Sequence, residues 1–153
     1  MKNINGQTFT LSVNGIEETQ GLADQMSKMI RQELKQIKCL TICLTGTLGA
    51  GKTTFIRYLA TALGVDENDV SSPTFSLHQQ YVAQENLLIN HFDFYRFDDE
   101  DQIFEVGFEE TVAQPGLHLV EWGEKFAVCL PDLFWSLRIE VLGETARNFT
   151  LKK

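Results

Sequence analysis

The hydrophobic positions in the first half of the chain follow strand and helix periodicities in turn. Residues 9–13 alternate as in a half-buried strand, and residues 17–35 place their apolar side chains on one helical face. Residues 39–44 form a short apolar run that is typical of a buried strand. Helical spacing returns over residues 53–63. The pattern therefore predicts strand, helix, strand and helix, with a turn at Asn14-Gly15.

The second half of the chain predicts a sheet whose strands run in both directions. Residues 75–81 and 87–95 have strand character, and the few polar residues between them permit only antiparallel pairing. The elements predicted after this hairpin are a short acidic helix at 98–110, a buried strand at 117–121, and a terminal hairpin of 133–142 with 148–152. Because no repeat or linker interrupts the 153 residues, we predict a single α/β domain with a mixed sheet flanked by helices.

A glycine-rich stretch joins the second predicted strand to the helix after it. Residues 46–53 read Gly-Thr-Leu-Gly-Ala-Gly-Lys-Thr and fit the phosphate-loop pattern G-x-x-x-x-G-K-[ST], which requires this strand and helix around it. A glycine-rich turn would match by chance in about one chain in two hundred of this length, and the flanking elements lower that figure. The stretch predicts a nucleotide-binding loop in a three-layer domain like those of the P-loop NTPases.

Each residue type in this loop has a chemical role toward phosphate. Glycines let the backbone curl so that successive N–H groups converge on phosphate oxygens at the positive end of the helix. Lys52 would reach the β and γ phosphates, and the Thr53 hydroxyl would be an oxygen ligand for Mg²⁺. The predicted nucleotide contacts in the loop are Leu48, Gly49, Ala50, Gly51, Lys52, Thr53 and Thr54.

Two predicted strands end in an acid of the kind that nucleotide hydrolysis needs. Glu121 follows a clean apolar run, as expected of a buried strand that delivers a carboxylate to the phosphate-loop edge. Asp93 ends the second strand of the first hairpin. We assign Glu121 to Mg²⁺, directly or through water, and Asp93 to the attacking water or the metal shell. The alternative for each is an ordinary strand-end acid with a surface partner.

The segment between the phosphate-loop helix and the hairpin has the composition of a switch loop. Pro73 stiffens a turn there, and neighbouring hydroxyls lie where a phosphate-sensing loop is expected. The residues of this predicted switch are Ser72, Pro73, Thr74 and Phe75. A plain loop leading into a strand is the alternative. The three histidines, His78, His91 and His118, show no metal-ligand spacing and predict packing or surface roles.

The amino-acid composition restricts which partners the protein can bind and where in the cell it is expected. The net charge is 13 − 21 = −8, which argues against a protein that grips nucleic acid with an overall basic surface. RNA contact is therefore expected only through a partner. Cys39, Cys43 and Cys129 lack metal spacing and predict reduced thiols. Neither a signal core nor a membrane-spanning segment is present in the sequence, which predicts a cytoplasmic protein with no membrane partner.

Several stretches together resemble one family. The phosphate loop, Ser-Pro-Thr-Phe-Ser-Leu at 72–77, His-Phe-Asp-Phe-Tyr-Arg at 91–96, Gly107 and Leu-Val-Glu-Trp at 119–122 occur in the order seen in the TsaE family, also called YjeE. These are small bacterial P-loop ATPases. The resemblance covers nearly the whole chain, and the ordered set is more specific than the phosphate loop alone.

The resemblance implies a role in forming threonylcarbamoyl adenosine on tRNA. In this family the ATPase joins TsaD and TsaB, and its ATP hydrolysis supports turnover of the machinery without carrying out the carbamoyl transfer. By the same analogy Thr53 and Glu121 hold Mg²⁺, Asp93 and Lys52 serve catalysis, and Thr19 and Arg147 match positions near the nucleotide. One departure is Thr47, where the family usually has Asp.

Two other functions remain open for such a loop. One is a small-molecule kinase, which usually has a mobile arginine-rich lid, whereas the segment after Asp93 offers only Arg96 among acids. The other is a nucleotide-gated binding module that barely hydrolyses. Because no Asn-Lys-x-Asp guanine motif occurs in the sequence, adenine is the expected base.

Overall fold

The computed structural model describes residues 6–70 and 77–153, whose strands form a seven-stranded mixed sheet. In chain order the strands and helices are β1 (Thr8–Asn14), α1 (Gly15–Leu34), β2 (Cys39–Thr45), α2 (Lys52–Ala62), β3 (His78–Val82), β4 (Leu88–Asp93), α3 (Glu100–Glu105), α4 (Phe108–Val112), β5 (Gly116–Glu121), β6 (Trp135–Val141) and β7 (Ala146–Lys152). Short 3₁₀ segments lie at Glu67–Asp69, Gln84–Asn86 and Gly123–Cys129.

The strand order is β1-β7-β6-β2-β5-β4-β3. The four central strands β6, β2, β5 and β4 are parallel, whereas β1, β7 and β3 pair antiparallel with their neighbours. The carboxyl ends of the parallel strands β2, β5 and β4 therefore meet at one edge of the sheet, which is where open α/β sheets bind their ligands. The predicted mixed α/β fold is confirmed.

Strand alternation divides the core between the two faces of the sheet. On β2, Ile42 and Leu44 pack toward α1 and α2, and Cys43 between them packs toward α3 and α4. On β5, Leu119 and Val120 divide in the same way. Both faces are thus covered, as the long apolar runs of the central strands require. The three layers predicted from the sequence are present.

Some predicted elements have different bounds. Asn14-Gly15 is not a turn, because β1 runs to Asn14 and α1 starts directly at Gly15. The single helix predicted over 98–110 is wrong, since Gly107 adopts a left-handed φ of 70° and divides it into α3 and α4. Asp99 caps α3 by accepting from the N–H of Gln102. Both predicted hairpins form.

The three cysteines are free thiols, as predicted. Burial raises the pKa of Cys43 to about 12, which leaves that thiol unreactive. Within residues 6–70 and 77–153, none of the helices has the length and apolar character needed to cross a bilayer.

Candidate nucleotide site

The phosphate loop leaves β2 at Thr45 and enters α2 at Lys52, and its glycines are required for two different reasons. Gly46 lies so close to β6 that a Cβ there would be 2.5 Å from the carbonyl oxygen of Ile139. Gly49 and Gly51 have open space around them but adopt left-handed φ values of 78° and 104°. Side chains are therefore excluded by contact at the base of the loop and by backbone conformation at its end.

The loop presents backbone donors at the start of α2. Its first intrahelical hydrogen bond runs from the N–H of Phe55 to the carbonyl of Gly51, at 2.8 Å. The N–H groups of Lys52, Thr53 and Thr54 precede that bond and have no intrahelical acceptor. They point out of the positive end of the helix dipole, so the loop favours an anion there.

Lys52 lies inside the loop and is only 4% exposed. Its ammonium group donates to the carbonyl oxygens of Gly46 and Thr47, at 2.8 and 3.0 Å, and sits 4.2 Å from the centre of the Trp122 ring. Burial lowers the pKa of Lys52, while the nearby carboxylates, chiefly Glu121, act in the opposite direction. A buried cation held by two carbonyls and a ring face can exchange these contacts for phosphate oxygens.

A chain of hydrogen bonds joins α2, β5 and β4 beside the loop. The Thr53 hydroxyl donates to both carboxylate oxygens of Glu121, at 2.8 and 3.0 Å. Oε1 of Glu121 is also hydrogen-bonded to Nε2 of His91, at 2.8 Å. Glu121 is 3% exposed and His91 is 1% exposed. The carboxylate is thus held between Thr53 at the start of α2 and His91 on β4.

Asp93 lies next to Glu121 because the two are register partners on the parallel strands β4 and β5. Burial raises the pKa of Asp93, and the negative charge of Glu121 acts in the same direction. The N–H of Tyr95 donates to Oδ1 of Asp93 at 2.9 Å and partly offsets these effects. Asp93 is therefore a half-buried carboxylate with an elevated proton affinity, at the same sheet edge as the phosphate loop.

A cavity of about 380 Å³ collects these groups. Its walls include the loop residues Gly49, Gly51, Lys52, Thr53 and Thr54, together with Asp93 and Glu121. Trp122 and Arg96 complete it, and the Trp122 ring contacts that of Tyr95 with centroids 5.0 Å apart. Six of the seven predicted loop contacts, all except Ala50, and both predicted acids thus line one volume.

A second cavity of about 300 Å³ lies on the other side of the loop and brings in Thr19 and Arg147. The Thr19 hydroxyl donates to the carbonyl of Gly15 at 2.7 Å, and Nε of Arg147 donates to the carbonyl of Ala50 at 2.9 Å. Nη1 of Arg147 donates to the carbonyls of Gly143, Glu144 and Ala146. Thr19 therefore shares a cavity with the loop, and Arg147 hydrogen-bonds to the loop backbone.

Other predicted residues are placed differently. Leu48 lines the first cavity but is 71% exposed, while Ala50 is buried at 1% and lines the second cavity instead. The predicted switch loop of Ser72, Pro73, Thr74 and Phe75 lies outside the described residues.

The sequence reasoning missed His91, for which only a packing or surface role was expected. The sequence did indicate that His91 lies near the site, because His91 precedes Asp93 by two residues on a strand and so must share its face of β4. The hydrogen bond to Glu121 could not be foreseen, since it depends on which strand lies next to β4.

The oxygen donors fit a magnesium ion. Within residues 6–70 and 77–153 no cluster of three or more His, Cys, Asp or Glu side chains could hold a metal. Mg²⁺ does not need such a cluster, since it commonly takes one or two protein oxygens and completes its shell with water and phosphate. The adjacent Thr53 hydroxyl and Glu121 carboxylate are such a pair.

Comparison with known proteins identifies the family. The model of the family described as "Threonylcarbamoyl adenosine biosynthesis protein TsaE" matches residues 13–149. The chain belongs to the TsaE family. Two similar relatives, each named tRNA threonylcarbamoyladenosine biosynthesis protein TsaE, come from Aquifex aeolicus and Rickettsia felis. The first is 39% identical over 86% of both chains, and the second is 37% identical over 90% of this chain and 75% of the relative.

The fold agrees with that assignment. The crystal structure of YdiB from Bacillus subtilis matches with a TM-score of 0.68 at 25% identity, covering 96% of this chain and 86% of YdiB. The family match spans β2, α2, β4 and β5, the elements that build the candidate site. The resemblance noted in the sequence is thereby confirmed, and with it membership of a family of tRNA threonylcarbamoyl adenosine biosynthesis.

Proposed function

We propose that this protein is the ATP-hydrolysing subunit of the machinery that forms threonylcarbamoyl adenosine on tRNA. The observation that carries the proposal is the meeting of the phosphate loop with Glu121 through the Thr53 hydroxyl, in a cavity that also holds Lys52 and Asp93. Nucleotide hydrolysis requires hydrogen-bond donors that bind the phosphates, an oxygen pair for Mg²⁺ and a carboxylate with elevated proton affinity. Family membership gives the biological context.

Each group has a distinct role in this proposal. The N–H groups at the start of α2 bind the phosphates, and the Lys52 ammonium turns from its loop carbonyls to the β and γ oxygens. Thr53 and Glu121 hold Mg²⁺, which neutralises phosphate charge when bound. Asp93 orients the attacking water and accepts its proton, for which a raised pKa is favourable. His91 fixes the orientation of Glu121.

The second cavity provides the place for the base and ribose. It adjoins Gly49, Gly51 and Thr54 of the loop and is lined by Thr19, Tyr58 and Arg147, so a nucleotide with its phosphates in the loop can extend into it. We take the base to be adenine, because the sequence has no guanine motif.

Nucleotide binding and hydrolysis by the purified protein test the proposal directly. Titration with fluorescent ATP and GTP analogues measures base preference, and release of inorganic phosphate measures turnover. Preferential binding of the ATP analogue with slow Mg²⁺-dependent phosphate release is expected. Transfer of phosphate to an added small-molecule acceptor would instead indicate a kinase, and binding with no release a nucleotide-gated module.

Removing the metal ligands should raise the Mg²⁺ requirement. Glu121→Gln keeps the shape of the side chain but removes the charge, and Thr53→Ala removes the hydroxyl, so half-maximal hydrolysis should need several-fold more Mg²⁺ in both variants. ATP affinity should also lose its Mg²⁺ dependence in the fluorescence titration. Glu67→Gln, on an exposed 3₁₀ segment, is the matched control. Unchanged Mg²⁺ curves for both site variants would refute the ligand assignment.

We expect the protein alone to hydrolyse ATP slowly and to be stimulated by TsaD and TsaB. Lys52 is assigned to the β and γ phosphates, Arg147 is held by four carbonyls, and Arg57 lies on the exposed side of α2. Arg96 lines the phosphate cavity, but it lies on the turn after Asp93 rather than on the loop. A partner that adds or orders a cationic group would accelerate phosphoryl transfer.

Phosphate release should be measured for the protein alone, each partner alone, and the mixture. A several-fold rise above the sum of the separate rates is the expected result. Fast turnover by the protein alone that saturating partners leave unchanged would oppose a subunit role and favour a self-sufficient enzyme.

A further inference from the structure

A groove of about 450 Å³ lies away from the nucleotide site, between the helices α3 and α4 and the end of the 3₁₀ segment Gly123–Cys129. It shares no lining residue with the two cavities beside the phosphate loop. It is also the larger volume, compared with about 380 Å³ for the phosphate cavity. The proposed ATPase activity leaves this groove without a role.

The floor and walls of the groove are apolar. Ile103 and Phe108 are buried at its base. On its walls Phe104 is 56% exposed and Val128 is 74% exposed, and Leu133 beyond the rim is 52% exposed. Large apolar side chains gathered around one concavity, with so much of their surface in water, are typical of a protein interaction site.

The rim of the groove is acidic. Glu100, Glu109 and Asp132 line it, and its lining includes no lysine or arginine. The segment that forms one side, residues 98–110, contains seven Asp and Glu residues and no basic residue. Of these seven acids Glu100 and Glu109 line the groove, and together with Asp132 they create a negative potential that attracts a positively charged partner while repelling nucleic acid and anionic lipid.

The secondary structure around the groove restricts how a partner can bind. None of the lining residues belongs to a β-strand, so the groove offers no strand edge for an added strand. Recognition has to proceed through side chains, and an apolar groove between helices suits an amphipathic helix with anchors spaced three and four residues apart.

We propose that this groove binds an amphipathic helical segment of a protein partner. Apolar side chains of that helix enter between Phe104 and Val128, and lysines or arginines flanking them contact Glu100, Glu109 and Asp132. The inference goes beyond the proposed function, because such binding requires neither nucleotide nor hydrolysis.

The groove is coupled by packing to the nucleotide site. The Phe108 ring contacts that of Phe94 with centroids 4.9 Å apart, and Phe94 directly follows Asp93. Helices α3 and α4 also lie in the chain segment between Asp93 and Glu121. A partner helix in the groove therefore lies one aromatic layer from the residues that hold the two acids.

A displayed library of random 16-residue peptides is the probe for this surface. The library is selected on the nucleotide-free wild-type protein, and the enriched peptides are synthesised and titrated against variants. We expect enriched sequences with apolar residues at helical spacing and an excess of lysine and arginine. Phe104→Ser and Val128→Ser should each weaken binding about tenfold or more, and Glu109→Gln with Asp132→Asn should weaken it and reduce its salt dependence.

Matched variants separate this site from general surface effects. Val82→Ser changes another exposed valine, 61% exposed on β3, and Glu67→Gln with Asp69→Asn removes two acids elsewhere. Neither should alter peptide binding, and Val128→Ser should leave basal ATP hydrolysis unchanged. The proposal is overturned if no peptide is enriched or if the enriched peptides have no excess of lysine and arginine. It is also overturned if neither Phe104→Ser nor Val128→Ser weakens their binding. The proposal is also overturned if the wild-type protein binds anionic vesicles as well as it binds the peptides and Val128→Ser abolishes that binding, because the groove would then be a membrane-binding surface.

Discussion

Replacing Lys52 by alanine should weaken ATP binding by roughly 10- to 150-fold, the equivalent of about 1.5–3 kcal/mol for a hydrogen bond to a charged group. The backbone N–H groups at the start of α2 remain in the variant, so residual phosphate binding is expected. They cannot replace the mobile charge that Lys52 carries from the loop carbonyls to the β and γ phosphates. Titrations with fluorescent ATP and ADP measure the loss of affinity. The affinity for ATP should fall more than that for ADP, because only ATP has a γ phosphate.

The control for this result is Lys28→Ala, which removes a lysine from the exposed side of α1. That variant should bind both nucleotides as the wild type does. Circular dichroism should show both variants to be folded, since alanine favours the first turn of α2 at least as well as lysine. If Lys52→Ala bound ATP as tightly as the wild type, the phosphate-loop assignment would fail.

Replacing Asp93 by asparagine should abolish most turnover and leave Mg²⁺·ATP affinity almost unchanged. The amide oxygen can still accept from the N–H of Tyr95, so the strand end keeps its shape. What is lost is the group proposed to accept a proton from water, and such groups contribute roughly 10²- to 10⁴-fold to a rate. Single-turnover phosphate release measures the rate, and the fluorescence titration measures the affinity.

Asp69→Asn makes the same chemical change at an exposed position and should change neither the hydrolysis rate nor the affinity for Mg²⁺·ATP. The comparison with Glu121→Gln is the more informative one, because the two acids are register partners and differ in their neighbours. Only Glu121 contacts the Thr53 hydroxyl. Identical Mg²⁺ dependence in Asp93→Asn and Glu121→Gln would contradict the division of roles proposed here.

Local pattern was sufficient to predict the phosphate loop and the strands around it. The loop needs residue types that few other structures need, and β2 and β5 are buried on both faces, so their apolar runs are continuous. The hairpin of β3 and β4 followed from the shortness of its connection. The division of α3 from α4 was missed because a left-handed Gly107 looks like any other glycine in a polar helix.

Contacts between distant strands were beyond the reach of a single sequence. Glu121 could be assigned to a strand end, but its hydrogen bond to His91 depends on β4 lying beside β5. Lys52 was expected to reach phosphate, whereas its contact with the Trp122 ring depends on the left-handed φ of 60° at Trp122. The segment 98–110 was predicted only as a short acidic helix, and the apolar groove beside it depends on the fold.

All six residues of β5 are buried, and the strand pairs with a parallel neighbour on each side. The backbone at Glu121 therefore cannot shift relative to β2 and β4 unless hydrogen bonds of two ladders in the central sheet break. The strand that carries the proposed metal ligand Glu121 therefore stays in place while the domain is folded. Under the proposed function, on-off control of hydrolysis costs least at the long Lys52 side chain and the turn after Asp93, where a change of state breaks only a few hydrogen bonds.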